Sequence, residues 1–170
     1  IGDNEGGGLS VNFIGQLHFA AGDLPRAMQL FAEAEVCFET VGDKPEVARV
    51  QGEQGYLALA AGDIAAARRL FLRALRTNDE IGSPPGIGRA LLGLAAAESA
   101  AGRRELAVRL AAAADGLRER AGVVIEHPMA PGLAAQIDAL KASVPREALA
   151  GLTEEGRNLT TAAVFALVAA

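Results

Sequence analysis

The sequence predicts an all-α chain: an array of antiparallel helix pairs, three repeats long, closed by degenerate capping helices. Three observations carry this. First, Ala21-Gly22-Asp23 recurs as Ala61-Gly62-Asp63 and, altered, as Ala101-Gly102-Arg103, forty residues apart each time. Self-similarity at a fixed period of this size is the mark of a repeat architecture. Second, helix-stopping and helix-starting residues fall in register. Gly22, Gly62 and Gly102 stand where a first helix ends, and Gly42, Gly82 and Gly122 where a second one ends. Glycine fills the left-handed position there without a Cβ clash. Third, the residues between these stops have helical spacing, as in Ala27, Leu30, Phe31, Ala34 and again in Ala67, Leu70, Phe71, Ala74.

Each element can be placed from those signals. Glu5-Gly6-Gly7-Gly8 reads as a linker, so residues 1–8 are expected to be flexible. The first hairpin spans 9–41, with helices near 9–21 and 24–41. Asp23 is its internal N-cap and Pro25 lies in the first turn, where a missing N–H costs little. The second hairpin spans 45–81 (45–61 and 64–81), introduced by Asp43-Lys44-Pro45 and capped internally by Asp63. The third spans 85–121 (85–101 and 104–121), introduced by Ser83-Pro84-Pro85, with Arg103 in place of the capping Asp. Residues 122–129 break the period, and Pro128 and Pro131 argue for a loop. Helices near 131–143, 146–157 and 161–169 are expected beyond it. Lacking the Ala-Gly-Asp turn, this tail (122–170) reads as a degenerate fourth unit, with Val164, Phe165, Leu167 and Val168 packed against the last repeat.

Composition narrows the function classes. At 170 residues one domain is expected. The net charge is −5 and no basic run occurs, which argues against direct nucleic-acid contact by this segment. No apolar stretch reaches the roughly 18 residues of a membrane span. The single cysteine, Cys37, excludes an internal disulfide, suits a reducing cytoplasm and reads as a packing residue. Ile1 opens the chain without an initiator Met, which fits a segment of a longer polypeptide.

Chemistry is sparse. There is no Walker A pattern, and Gly86, Gly88 and Gly93 do not match the dinucleotide fingerprint. His18 and His127 are the only histidines, far apart and without cysteine or carboxylate clusters at ligand spacing, so no metal site is expected. His18, one turn before Gly22, reads as a packed histidine. Glu33, Glu35, Glu154 and Glu155 read as solvated helix faces rather than acid–base pairs. No catalytic residue and no cofactor is expected.

The columns resemble the tetratricopeptide repeat, in which a small residue in the first helix, Gly at the turn, and Ala, a large residue and Ala in the second helix recur. Here those are Gly15, Gly22, Ala27, Phe31, Ala34, then Gly55, Gly62, Ala67, Phe71, Ala74, and more weakly Ala95, Gly102, Ala107, Ala111, Ala114. The forty-residue length is similar to the long-helix variant of MalT-like regulators, whereas the standard unit is about 34 residues. The stretch from Val108 to Glu119 and the run Glu155–Thr160 with Ala163-Val164 resemble the end of the helical array in large actinobacterial LuxR-type or signal-transduction-ATPase regulators. Gln51, Gln54 and Arg103 depart from the pattern.

That resemblance implies a right-handed superhelix, an α-solenoid, whose concave face is lined by the first helix of each unit. The positions carried over are Leu9, Asn12, Gln16 and Phe19, then Arg49, Gly52, Tyr56 and Leu59, then Arg89, Leu92, Ala96 and Ser99. Arg49 and Arg89 share a register and would face one groove able to hold a carboxylate. The competing arrangement pairs Arg49 with Glu46 and Glu53 on its own helix. The expected function is a non-catalytic, cytoplasmic protein-interaction or regulatory module. Its partner would be a protein or peptide, such as an ATPase or DNA-binding domain of the same polypeptide. A free-standing scaffold or self-assembly protein is the alternative, and an enzyme with a site in the 122–131 loop a weaker one.

Overall fold

A computed structural model describes residues 4–125, 130 and 132–169. Residues 1–3 of the expected linker, and His127, Pro128 and Pro131 of the expected loop, lie outside the described residues. Nine helices and no strands occur among the described residues. They are α1 (Asn4–Ala20), α2 (Leu24–Val41), α3 (Lys44–Ala60), α4 (Ile64–Glu80), α5 (Pro84–Ala100), α6 (Arg104–Ala121), α7 (Leu133–Ala142), α8 (Arg146–Arg157) and α9 (Thr161–Ala169).

One turn design accounts for the helix boundaries. The six register glycines all have positive φ, between 62° and 80°. The residue after each glycine turns its N–H back to the carbonyl five positions earlier, as in Asp23 N to His18 O and Asp63 N to Ala58 O, both 2.9 Å. In four of these turns the side chain of that same residue then caps the next helix. Asp63 Oδ1 accepts from Ala66 N at 2.8 Å, and Asp23, Asp43 and Ser83 do likewise for Arg26, Glu46 and Gly86. Arg103 makes no capping bond; its guanidinium pairs instead with Glu98.

The helices pack as consecutive hairpins: α1 with α2, α3 with α4, α5 with α6, and each hairpin rests on the next through α2–α3 and α4–α5 contacts. This packing is compatible with a helical repeat array. The Ala/Phe ladder forms the core, with Ala27, Phe31, Ala34, Ala67, Phe71 and Ala74 all at most 2% exposed. Gly15 and Gly55 make room for the two rings. A Cβ on either would lie 2.7 Å from its ring, Phe31 for Gly15 and Phe71 for Gly55. The third hairpin replaces both members of the pair, with Ala95 facing the column of Ala111, and both are fully buried.

One expectation changes. Residues 4–8 belong to α1 rather than to a linker. Gly8 is there for close packing: a Cβ on it would lie 2.9 Å from the Phe38 ring. The tail helices lie on the preceding repeats. Helix α7 packs on α5 and α6, α8 on α6, and α9 on α4, while α7 and α8 do not pair among the described residues. Two glycines let α6 and α8 touch backbone to backbone, since a Cβ on Gly116 would lie 2.6 Å from Arg157 O and one on Gly156 closer still to Arg109 O. Arg109–Glu155 (2.8 Å) and Arg157–Glu119 (2.6 Å) flank that crossing. Helix α9 runs antiparallel to α4, tied at one end by Thr161 Oγ1 to Asp79 Oδ1 (2.7 Å) and at the other by Arg68 Nη2 to Val168 O (2.6 Å). Val164 and Val168 are buried beneath it, Phe165 and Leu167 half-buried, and the Arg76 guanidinium stands 5.5 Å over the Phe165 ring.

Ala67 is fully buried in this ladder. Ala67→Leu is expected to cost about 1–3 kcal/mol by overpacking, read as a lower urea midpoint with an unchanged m value.

Candidate functional site

The positions expected on one face separate into two groups. Towards the N-terminal halves of the first helices, side chains are taken up by one another. Glu53 is buried and accepts from Gln16 Nε2 (2.9 Å) and Arg49 Nη1 (2.7 Å). Arg49 also binds Glu46 through Nε at 2.8 Å, so it adopts the pairing on its own helix. Asn12 is 2% exposed beside this carboxyl, and its Oδ1 and Glu53 Oε2 are buried oxygens with no partner among the described residues. Leu9 is exposed at the start of this face, and Leu92 is half-buried against the core.

Burial pushes the Glu53 carboxyl above its usual range, and the charge of Arg49 with the Asn12, Arg49 and Gln16 hydrogen bonds only partly offsets it. For Arg49, burial opposes the charge, but the Glu46 and Glu53 carboxylates together outweigh it and raise its pKa. The two directions are consistent. Arg49 is the more exposed partner and has two counter-charges, whereas Glu53 is deeper and has one.

Towards the C-terminal halves the face opens into a cleft of about 390 Å³. Phe19 of α1, Tyr56 and Leu59 of α3, and Ala96 of α5 line it in repeat register, with Leu133 and Gln136 of α7 on the far side. An adjoining depression of about 500 Å³ shares Ala96, Leu133 and Gln136 and adds Ser99 and Arg104. Tyr56 stands edge-on to Phe71, ring centroids 4.9 Å apart at 72°. Burial raises its pKa, and the nearby positive charge of half-buried Arg89 opposes that rise. The structure therefore brings Phe19, Tyr56, Leu59 and Ser99 to this part of the face, sets Arg89 beside Tyr56, and leaves Asn12, Arg49 and Leu92 off the cleft lining. The α7 wall was not legible in the sequence, because the period breaks at 122–131 and the register cannot be carried across it.

Other polar groups are structural ties. Glu35, expected on a solvated face, is 8% exposed and gathers Gln51 (3.0 Å), Gln54 (2.9 Å) and Arg73 (2.7 Å), while Glu33 is exposed as expected. This explains the two glutamines at otherwise apolar positions: an unpaired buried carboxylate would be costly. Glu98 is fully buried between Arg68 (2.7 Å) and Arg103. His18 is not packed in the core; the turn brings Asp23 to it, and Nδ1 lies 3.1 Å from Asp23 Oδ2. No group of three or more His, Cys, Asp and Glu is placed to hold a metal ion among the described residues, and no helix there is long and apolar enough to cross a membrane.

The chain matches no protein-family model, and no curated protein or solved structure is significantly similar to it.

Glu53 gives a pH test. Its folded pKa is raised, so its stabilising contribution is complete below the unfolded carboxylate pKa of about 4.3 and is lost as pH rises through the folded value. Glu53→Gln keeps an acceptor without the charge. The stability of this variant relative to wild type should therefore increase between about pH 4 and about pH 7 in urea titrations. A difference that stays flat or falls over that range would contradict the burial argument.

Proposed function

We propose that this chain is a non-catalytic protein-interaction module of the tetratricopeptide type, binding a peptide or helical segment in the cleft at the C-terminal ends of α1, α3 and α5. The observation that carries this reading is the composition and register of that cleft. Phe19, Leu59 and Ser99 are one repeat column, and Tyr56 and Ala96 belong to the adjacent one. A row of helix ends presenting mostly apolar surface, with Tyr56 and Gln136 as polar handles, suits recognition of an apolar side chain on a short peptide. The arginine pair is a poor carboxylate grip on this reading, because Arg49 is already held by Glu46 and Glu53. Of the two arginines, Arg89 is the one whose charge acts on Tyr56.

In its wider setting, the module is a right-handed superhelical array from a cytoplasmic bacterial signalling or transcription regulator of the LuxR or signal-transduction-ATPase kind. Its ligand is then a protein partner or another domain of the same polypeptide. What supports this is the forty-residue length of the units and the resemblance of their columns, together with hairpin packing compatible with such an array.

Selection of random peptides displayed on phage tests the binding role. Enriched peptides are expected to bind in solution and to lose at least about tenfold in affinity on Leu59→Arg and on Gln136→Arg, which face the cleft from opposite walls. Both variants should retain the wild-type circular dichroism spectrum. No enrichment, or peptides that bind both variants unchanged, would contradict the cleft as the site.

A further inference from the structure

Helix α1 carries an exposed apolar stripe. Leu9 is 46% exposed, Phe13 60%, Ile14 45% and Leu17 54%. Residues 9, 13 and 17 lie four apart and 14 lies beside them, so they form one continuous helix face. The internal repeat shows what such a face is for. Forty residues on from Phe13, Ile14 and Leu17 stand Glu53, Gln54 and Leu57, and eighty on stand Gly93, Leu94 and Ala97; all six are buried. They are buried by the preceding hairpin. Glu53 is covered from α1 by Asn12 and Gln16. Gln54 is held by Glu35 of α2. Gly93 lies directly under the Phe71 ring of α4.

We infer that the stripe on α1 is the seat of one more hairpin of the same repeat, preceding Ile1 in the same polypeptide. The sequence supplies an independent sign. Ile1-Gly2-Asp3 stands in register with Val41-Gly42-Asp43 and Ile81-Gly82-Ser83, the signature that ends the second helix of one unit and begins the first of the next. A second copy of this chain is a poor occupant. The Ala/Phe ladders of α2, α4 and α6, the surfaces that a second helix offers to the next hairpin, are all at most 2% exposed and already covered. The opposite end is closed as well, since α8 lies on α6 through Gly116 and Gly156. The array is thus open to extension on the α1 side.

Cysteine labelling tests this. In a Cys37→Ser background, Phe13→Cys and Leu17→Cys are introduced one at a time, in the 170-residue chain and in the native polypeptide. Maleimide modification of the 170-residue chain should run at the rate of an exposed thiol. In the native polypeptide it should be slower by at least about a hundredfold, as expected for a site that opens only by local unfolding. Equal rates in the two, or a native polypeptide with no hairpin before Ile1, would overturn the inference. Protection of the 170-residue chain that grows with its concentration would assign the face to a second copy and would overturn it equally.

Discussion

The Phe71 ring occupies space that two glycines leave empty. A Cβ on Gly55, in the first helix of the same hairpin, would lie 2.7 Å from the ring, and one on Gly93, in the first helix of the next hairpin, closer still. This aromatic ring therefore fixes the approach of three helices at once: α3 and α4 within a hairpin, and α5 across the junction. Protein interiors are close-packed, so such an interlock leaves little freedom in the stacking. Phe31 repeats the device against Gly15. The row of first-helix ends that makes the cleft exists because these interlocks set α1, α3 and α5 in order. The cleft geometry is thus downstream of two rings and the glycines beneath them.

The polar ties follow the same plan. Buried carboxylates recur at junctions between helices: Glu53 between α1 and α3, Glu35 among α2, α3 and α4, Glu98 between α4 and α5. Each is surrounded by donors from a neighbouring helix, so each specifies register as well as contact, and breaking one would leave a buried charge. The N-terminal half of the face is thereby committed to structure. What remains available for recognition is the half near Phe19, Tyr56, Leu59 and Ala96.

The features legible in the sequence were those enforced locally. Positive-φ glycines and capping aspartates announce helix ends because few other residues satisfy the turn, and the Ala/Phe ladder announces the buried face because its spacing is helical. The features missed depend on partners far along the chain. Glu35 looked solvated because its ligands Gln51, Gln54 and Arg73 stand on other helices. Gly6-Gly7-Gly8 looked like a linker because nothing nearby in sequence reveals the Phe38 ring against Gly8. Where each tail helix sits was not legible either, because nothing nearby in sequence shows that the Gly116–Gly156 crossing seats α8 on α6. Of the candidate face, three sides were legible by register, and the α7 wall was not.

The interlock is tested most directly by a double-mutant cycle on Gly55 and Phe71. Gly55→Ala alone should destabilise the protein, because overpacking of about 1–3 kcal/mol exceeds the gain of roughly 1 kcal/mol in helix propensity. In the Phe71→Ala background, where the ring is gone, the same change should become neutral or stabilising by up to about 1 kcal/mol, mirroring the Ala95/Ala111 pair of the third hairpin. A cost for Gly55→Ala that is the same in both backgrounds would show that the ring and the glycine are not coupled, and the account of how the helices are set would fail.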